Sequence, residues 1–136
     1  AGYYLQIGRI LPVIHWLSLP IGLTIFNVIL LNEMPDYEAD RVAGKKNMMV
    51  RLGTRRGSYL YAIVSALAWF FFYVSIRHGV PQRALWFYLP VFALSVVLVF
   101  LVVQRRWQNR RTLETLCGAT ILVNLGTSAS YIFAYL

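Results

Sequence analysis

The stretch "ALWFYLPVFALSVVLVFLVV", residues 84–103, decides the fold class, because it is uncharged and apolar on every side of a helix. A soluble helical bundle would instead carry a polar stripe along each helix. A helix rises about 1.5 Å per residue, so about 20 residues cross a hydrocarbon core of about 30 Å. Because the backbone must satisfy its own hydrogen bonds in lipid, we expect a transmembrane helix here and not a buried strand.

Three other parts of the chain share this character. Uncharged runs of 20 to 23 residues cover positions 10–32, 57–76, 84–104 and 115–136. Charged residues lie between these runs, and no Gly/Ser-rich or Pro-rich linker divides the chain. The sequence therefore predicts an all-α fold, an integral membrane bundle of four transmembrane helices that forms a single domain over residues 1–136.

Positive charge is concentrated between alternate runs. The chain of 136 residues has a net charge of +8, and four crossings place residues 33–56 and 105–114 on one side of the membrane. Ten Lys and Arg residues lie in those two segments, against three on the other side, Arg9, Arg77 and Arg83. By the positive-inside rule, the loop 33–56 is predicted to be cytoplasmic. The basic excess therefore indicates topology and contact with anionic membrane lipids, and no nucleic-acid partner is expected.

Four of the five acidic residues lie within eight positions directly after the first run. Pro35 suits the first turn of a helix and Gly44 suits a left-handed helix end, so "DYEADRVA", residues 36–43, is predicted to be a short helix. Asp36 and Asp40 are four positions apart, which puts them on one face with Cβ atoms about 5 to 6 Å apart. Two like charges at this separation repel each other unless a cation lies between them.

The aspartate spacing suits Mg²⁺, which proteins commonly hold with one or two carboxylates while waters and substrate phosphates complete the coordination. Arg41, Lys45, Lys46 and Arg51 follow within eleven residues of Asp40, and such cations suit the oxygens of a diphosphate. A metal-diphosphate site at the membrane surface is therefore one interpretation of the loop. The other is a solvated helix face whose charges form ion pairs along the helix.

The segment "NEMPDYEADRVAGKKNMMVRLG", residues 32–53, resembles the second aspartate-rich motif of the UbiA superfamily of membrane prenyltransferases. That motif reads N-x-x-x-D-x-x-x-D, then G-K, then V-R-L-G, and the branch with the most similar wording contains the 1,4-dihydroxy-2-naphthoate prenyltransferases. Family members have nine transmembrane helices, with this motif after the sixth. One predicted span precedes the motif here and three follow it, so the resemblance implies helices 6 to 9, the C-terminal part of a prenyltransferase fold.

The resemblance implies transfer of a polyprenyl group from a Mg²⁺-bound polyprenyl diphosphate to an aromatic acceptor, in quinone or lipid biosynthesis in a bacterial or archaeal cell membrane. Carried over to this sequence, the metal-binding positions are Asp36 and Asp40. Arg41 and Lys45, and less strongly Arg51, fall where they suit the diphosphate. Asn32 either orients the loop or caps a helix. No further catalytic residue is assigned.

Two departures from the family pattern bear on activity. Where relatives often read G-K-R-T-L, this chain has "GKKNMM", residues 44–49, which lacks the Thr hydroxyl. Outside residues 33–40 the remaining acidic residue is Glu114, so the family's first aspartate motif is missing. We therefore expect the chain to be inactive alone and to need N-terminal helices or a second membrane chain.

A second function class stays open, a non-catalytic structural membrane subunit of a larger complex derived from this fold. The retained aspartate pair favours the enzyme, because a structural relic has no physical need for adjacent uncompensated carboxylates. In the last run, we expect bonds between helices from Asn124, Thr127 and Ser128. We expect close helix contact at its small residues, Gly118, Gly126 and Ser130.

Overall fold

The computed structural model describes residues 12–136, and this part of the chain is helical, with short connections and no strand. Its elements in order are α1 (Pro12–Asn32), α2 (Tyr37–Val42), α3 (Met48–Leu52), α4 (Thr54–Arg77), α5 (Ala84–Val103), a 3-10 turn (Arg106–Gln108) and α6 (Arg110–Tyr135). Helices α1, α4, α5 and α6 are each long and apolar enough to span a membrane. The predicted all-α integral membrane bundle is therefore confirmed. Arg9 lies outside the described residues.

The four long helices form a closed ring. Helix α1 packs against α4 and α6, and α5 packs against the same two helices on the other side of the bundle. One end of the ring, called the motif end below, carries residues 33–53 and the α5–α6 connection, residues 104–109. The opposite end carries the α4–α5 connection, residues 78–83, where Trp16 of α1 stacks on His78 with ring centroids 4.3 Å apart.

Apolar side chains form two buried clusters inside the bundle. Near the motif end, Leu30, Leu31, Met49 and Tyr61 belong to one buried cluster. Towards the opposite end, the Phe72 ring stacks on Tyr88 with centroids 3.6 Å apart and is 1% exposed. Large apolar side chains also cover the outside of the ring, which is the distribution expected of helices that face lipid.

Helix α6 begins five residues before its uncharged run. Asn109 accepts hydrogen bonds at Oδ1 from the backbone N–H groups of Arg111 (3.1 Å) and Thr112 (3.4 Å), which is an N-cap. Arg110 pairs with Glu114 one turn later, at 3.4 Å between Nε and Oε1. Charged residues can therefore extend a membrane helix beyond its apolar run when they lie at its aqueous end.

Some of the polar residues of α6 connect helices. Asn124 donates from Nδ2 to Thr24 Oγ1 on α1 at 2.8 Å, which confirms the predicted bond between helices. At Gly126 a Cβ would lie 2.7 Å from Val91 Cγ2 on α5, so the predicted close contact at this glycine is also confirmed.

Other residues of α6 do not behave as predicted. Thr127 and Ser128 donate to carbonyl groups one turn earlier in their own helix, at 2.7 and 3.2 Å. The prediction of a bond between helices was wrong for Ser128, because a hydroxyl in a helix reaches the preceding turn more easily than a neighbouring helix. The Thr127 hydroxyl also lies beside the hydroxyl of Tyr88 on α5. Gly118 has open space where a Cβ would be, so the predicted close contact at that position was wrong too.

Candidate functional site

The aspartate pair lies on the first turn of α2. Helix α2 begins at Tyr37, with Asp36 in the N-cap position, and Gly44 at φ +70° turns the chain after it, as predicted. The backbone N–H of Asp40 donates to the carbonyl oxygen of Asp36 at 2.8 Å, which keeps the two residues one turn apart. The Lys45 N–H then donates to the carbonyl oxygen of Asp40 at 3.0 Å and folds the basic segment back towards the pair.

The carboxylate of Asp40 is buried and held at both oxygens. Asp40 is 8% exposed. Its Oδ1 lies 2.6 Å from Lys45 Nζ, and its Oδ2 accepts a hydrogen bond from Asn47 Nδ2 at 2.8 Å. A carboxylate with a fixed orientation and a low exposure is what a preorganised ligand group requires.

Asp36 has a different environment, because it is exposed and its side chain does not cap α2. The Lys45 ammonium lies close enough to respond to both acids. Its hydrogen bond to Asp40 and the charge of that carboxylate raise the pKa of Lys45, and the charge of Asp36 adds to the rise. The structure therefore brings Asp36, Asp40 and Lys45 into one small charge cluster.

Asn47 is a residue of the site that sequence reasoning missed. Its Oδ1 accepts from the Val50 backbone N–H at 2.8 Å and caps α3, while its Nδ2 holds Asp40. The departure from the family's Thr had been interpreted as the loss of a hydroxyl group. An asparagine amide both donates and accepts, so Asn47 forms the bond to Asp40 and the bond that caps α3 without a hydroxyl group. The available signal was an Asn directly before the helical segment "MMVRL".

Glu33 is the second residue that was missed. Its Oε2 accepts a hydrogen bond from the Met49 backbone N–H at 2.9 Å, which ties the end of α1 to the start of α3. The Met49 side chain is fully buried, and its sulfur lies where a Cβ on Gly57 of α4 would be. The short helices that carry the site are therefore fixed to two membrane helices.

Within residues 12–136 the other predicted site residues form no hydrogen bond or ion pair with the two aspartate carboxylates. Arg41 pairs with Glu38 at 3.2 Å and lies over the Tyr37 ring at 6.0 Å, so it points along α2. Arg51 is exposed on α3, and Asn32 is exposed as the last residue of α1. Among the described residues, Lys45 is thus the basic side chain that pairs with Asp40.

A metal ion needs several ligand groups close together. Within residues 12–136, no group of three or more Asp, Glu, His and Cys side chains is placed to hold an ion. Asp36 and Asp40 supply two carboxylates, and Mg²⁺ commonly takes one or two carboxylates and completes its shell with waters and substrate phosphates. The Lys45 ammonium lies 2.6 Å from Asp40 Oδ1 and already supplies a positive charge to this carboxylate.

The α5–α6 connection lies beside the motif. Residues Met34, Pro35 and Thr54 line one side of an open recess of about 250 Å³, and Trp107 and Gln108 line another. Trp107 is held there by a hydrogen bond from its Nε1 to the Val102 carbonyl oxygen at 3.1 Å. The two segments predicted to share one side of the membrane are therefore neighbours at the motif end.

These features define an integral membrane protein whose all-helical bundle carries an aspartate pair at one end. The UbiA prenyltransferase family model matches residues 1–125, and the chain belongs to that family. The resemblance inferred from the motif is thereby confirmed at the level of the family. No curated protein and no solved structure matches the chain.

Proposed function

We propose that this chain is part of a membrane prenyltransferase that transfers a polyprenyl group from a prenyl diphosphate to an aromatic acceptor. Membership of the UbiA prenyltransferase family supports a prenyltransferase-type protein. The observation that carries the proposal is the buried carboxylate of Asp40, which binds Lys45 through one oxygen and Asn47 through the other. The exposed carboxylate of Asp36 lies one helical turn before it.

The aspartate pair has a defined task in this proposal. Asp36 and Asp40 would hold Mg²⁺, with Asn47 fixing the orientation of Asp40. The metal, when bound, would neutralise negative charge on the diphosphate and so favour its departure as a leaving group. Lys45 would exchange its contact with Asp40 for one with a diphosphate oxygen. Arg41 and Arg51 have long exposed side chains that would supply further charge-assisted hydrogen bonds.

A complete site needs more acidic groups than this chain contains. Beyond Glu33, Asp36, Glu38 and Asp40, the sequence has one more acidic residue, Glu114. We propose that the family's first aspartate motif comes from N-terminal helices or from a second membrane chain, and that this chain is the C-terminal part of the fold. No specific observation favours the alternative of a non-catalytic structural subunit.

Three finer assignments belong to the same proposal. The wording of residues 32–53 supports the branch that contains the 1,4-dihydroxy-2-naphthoate prenyltransferases, and hence a role in quinone or lipid biosynthesis. The ten basic residues of segments 33–56 and 105–114 support a cytoplasmic location for the motif end. A bacterial or archaeal cell membrane is the proposed location of the protein.

Transfer can be measured in membranes that contain the complete protein, with a radiolabelled prenyl diphosphate and 1,4-dihydroxy-2-naphthoate as acceptor. We expect Mg²⁺-dependent formation of a prenylated, lipid-soluble product, and its loss in Asp36→Asn and Asp40→Asn. Glu114→Gln is the matched control, because it removes an exposed carboxylate that pairs with Arg110 and not with Lys45. Undiminished transfer in both aspartate variants would reject the proposed metal role.

A further inference from the structure

A small cavity with several polar side chains in its lining lies inside the ring of membrane helices, where all four of them meet. It has a volume of about 10 Å³. Asn27 of α1, Tyr61, Ser65 and Ala68 of α4, Ser95 of α5 and Thr120 of α6 line it. Its lining belongs to the bundle interior, so its content does not depend on the proposed function of the aspartate pair.

Asn27 contributes an acceptor without a donor. It is 3% exposed, and its Nδ2 donates to Ser65 Oγ at 2.8 Å and to the Tyr61 carbonyl oxygen at 3.2 Å. Its Oδ1 is buried and has no hydrogen-bond partner among the described residues. Rotating the amide by half a turn would place Oδ1 against the Tyr61 carbonyl oxygen, which cannot donate, so this carbonyl fixes the amide orientation.

Tyr61 contributes a second acceptor. The Thr120 hydroxyl donates to the Leu116 carbonyl oxygen at 2.8 Å. The contact of 3.0 Å between the two hydroxyl groups is therefore a hydrogen bond from Tyr61 to Thr120. Because the Tyr61 hydroxyl has used its proton in this way, its oxygen retains the capacity to accept.

Two serines contribute unused donors. Ser65 Oγ accepts from Asn27, and Ser95 Oγ accepts from Trp69 Nε1 at 3.0 Å. In residues 12–136 neither of these serine hydroxyls donates a hydrogen bond to a protein acceptor. The cavity lining thus offers two acceptors, on Asn27 and Tyr61, and two donors, on Ser65 and Ser95.

We propose that this cavity binds a single water molecule, which donates to Asn27 Oδ1 and to the Tyr61 hydroxyl oxygen and accepts from Ser65 and Ser95. A volume of about 10 Å³ is close to that which one water requires, and buried waters typically make about three hydrogen bonds to polar groups that otherwise lack partners. An orphaned acceptor is unfavourable inside a membrane protein, because lipid offers it no donor.

The water gives the polar residues of the interior a common role. It connects α1 through Asn27, α4 through Tyr61 and Ser65, and α5 through Ser95, while Tyr61 extends the network to Thr120 of α6. Bonds of this kind fix the relative position of membrane helices, which have no hydrophobic drive to associate in lipid. The site therefore fixes the register of the ring.

Solid-state NMR of the protein labelled with [¹⁵N]asparagine in hydrated lipid bilayers tests the site. Magnetisation transfer from water protons to the Asn27 side-chain amide is expected, and the signal is assigned by its absence in Asn27→Leu. Asn109, exposed at the motif end, is the positive control for water contact. Absence of transfer to Asn27 in the unaltered protein would overturn the proposal.

A cavity-filling variant completes the experiment. Ala68 is 1% exposed and lines the cavity, so Ala68→Val adds two methyl groups where the water would lie. We expect this variant to lose the transfer to Asn27 while the signals of the other asparagines stay unchanged, which shows that the fold is intact. Equal transfer in this variant would contradict a water bound in the cavity.

Discussion

Asn47 donates a hydrogen bond from Nδ2 to Asp40 Oδ2 at 2.8 Å while its own Oδ1 accepts from the Val50 backbone N–H at 2.8 Å. One side chain thus caps α3 and orients the buried carboxylate of the aspartate pair. Helix α3 is held in turn by the bond from the Met49 N–H to Glu33. The position of Asp40 therefore depends on residues that lie both before and after it in the chain.

Removing the Asn47 amide should weaken metal-dependent diphosphate binding without unfolding the bundle. We expect Asn47→Ala to reduce Mg²⁺-dependent binding of a prenyl diphosphate about tenfold, because a hydrogen bond to a charged group contributes about 1.5 kcal/mol or more. Equilibrium binding of a radiolabelled prenyl diphosphate to the complete protein measures the change. Asn109→Ala removes a comparable N-cap from α6 and is expected to leave binding unchanged. Equal losses in the two variants would show that the effect is not specific to Asp40.

In the proposed site, a metal ion would compete with the Lys45 ammonium for the carboxylate of Asp40. In Lys45→Met, Asp40 loses its resident cation, so Mn²⁺ alone is expected to bind about two to five times more tightly. Binding of the prenyl diphosphate should weaken in the same variant, because a cation for its oxygens is gone. Isothermal titration with each ligand separates the two effects. Lys46→Met is the neighbouring exposed control, and weaker Mn²⁺ binding in Lys45→Met would contradict the competition.

Two glycines of α6 provide a matched test of the helix packing. Gly126→Ala places a methyl group against Val91, so α5 and α6 must separate, and we expect a loss of about 1 to 3 kcal/mol in stability. Gly118→Ala meets open space, so we expect no loss and a small gain from better helix propensity. Thermal unfolding of both variants in the same detergent gives the comparison. A lower midpoint for Gly118→Ala than for Gly126→Ala would contradict the packing described.

Membrane orientation can be tested with single cysteines. In a Cys117→Ala background, Lys46→Cys at the motif end and Gln82→Cys at the opposite end should react with a membrane-impermeant maleimide from opposite sides. The ten basic residues of segments 33–56 and 105–114 predict that Lys46→Cys is protected in intact cells and labelled after the membrane is opened. The reverse pattern would place the motif end outside the cytoplasm.

Sequence alone predicted the parts of the fold that local physics determines. Charge-free runs located the four spans. Pro35 and Gly44 lie on either side of α2, and the helix end at Gly44 was predictable because a left-handed glycine is a local property of the chain. The true start of α6 was missed, since the Asn109 cap allows the helix to include charged residues. Helix α3 was not predicted either, because its first turn is stabilised partly by Glu33, sixteen residues before Met49.

In the candidate site, too, the local geometry was predictable and the longer-range contacts were not. The spacing of Asp36 and Asp40 correctly indicated one helical turn. Their different burial could not be predicted, because it depends on how Lys45 and Asn47 fold back after Gly44. The roles of Arg41, Arg51 and Asn32 stay predictions, since in the described residues none of the three side chains forms a hydrogen bond or ion pair with the aspartate carboxylates.

In the proposed site, Asp36 and Asp40 together would hold a divalent cation that also binds a diphosphate. Electron paramagnetic resonance of Mn²⁺ titrated into the complete protein with pyrophosphate tests it most directly. The account predicts bound Mn²⁺ in the unaltered protein and in Glu114→Gln, and its loss when both aspartates are replaced by asparagine. Retention of the bound Mn²⁺ in that double variant, with the affinity of the unaltered protein, would contradict the account.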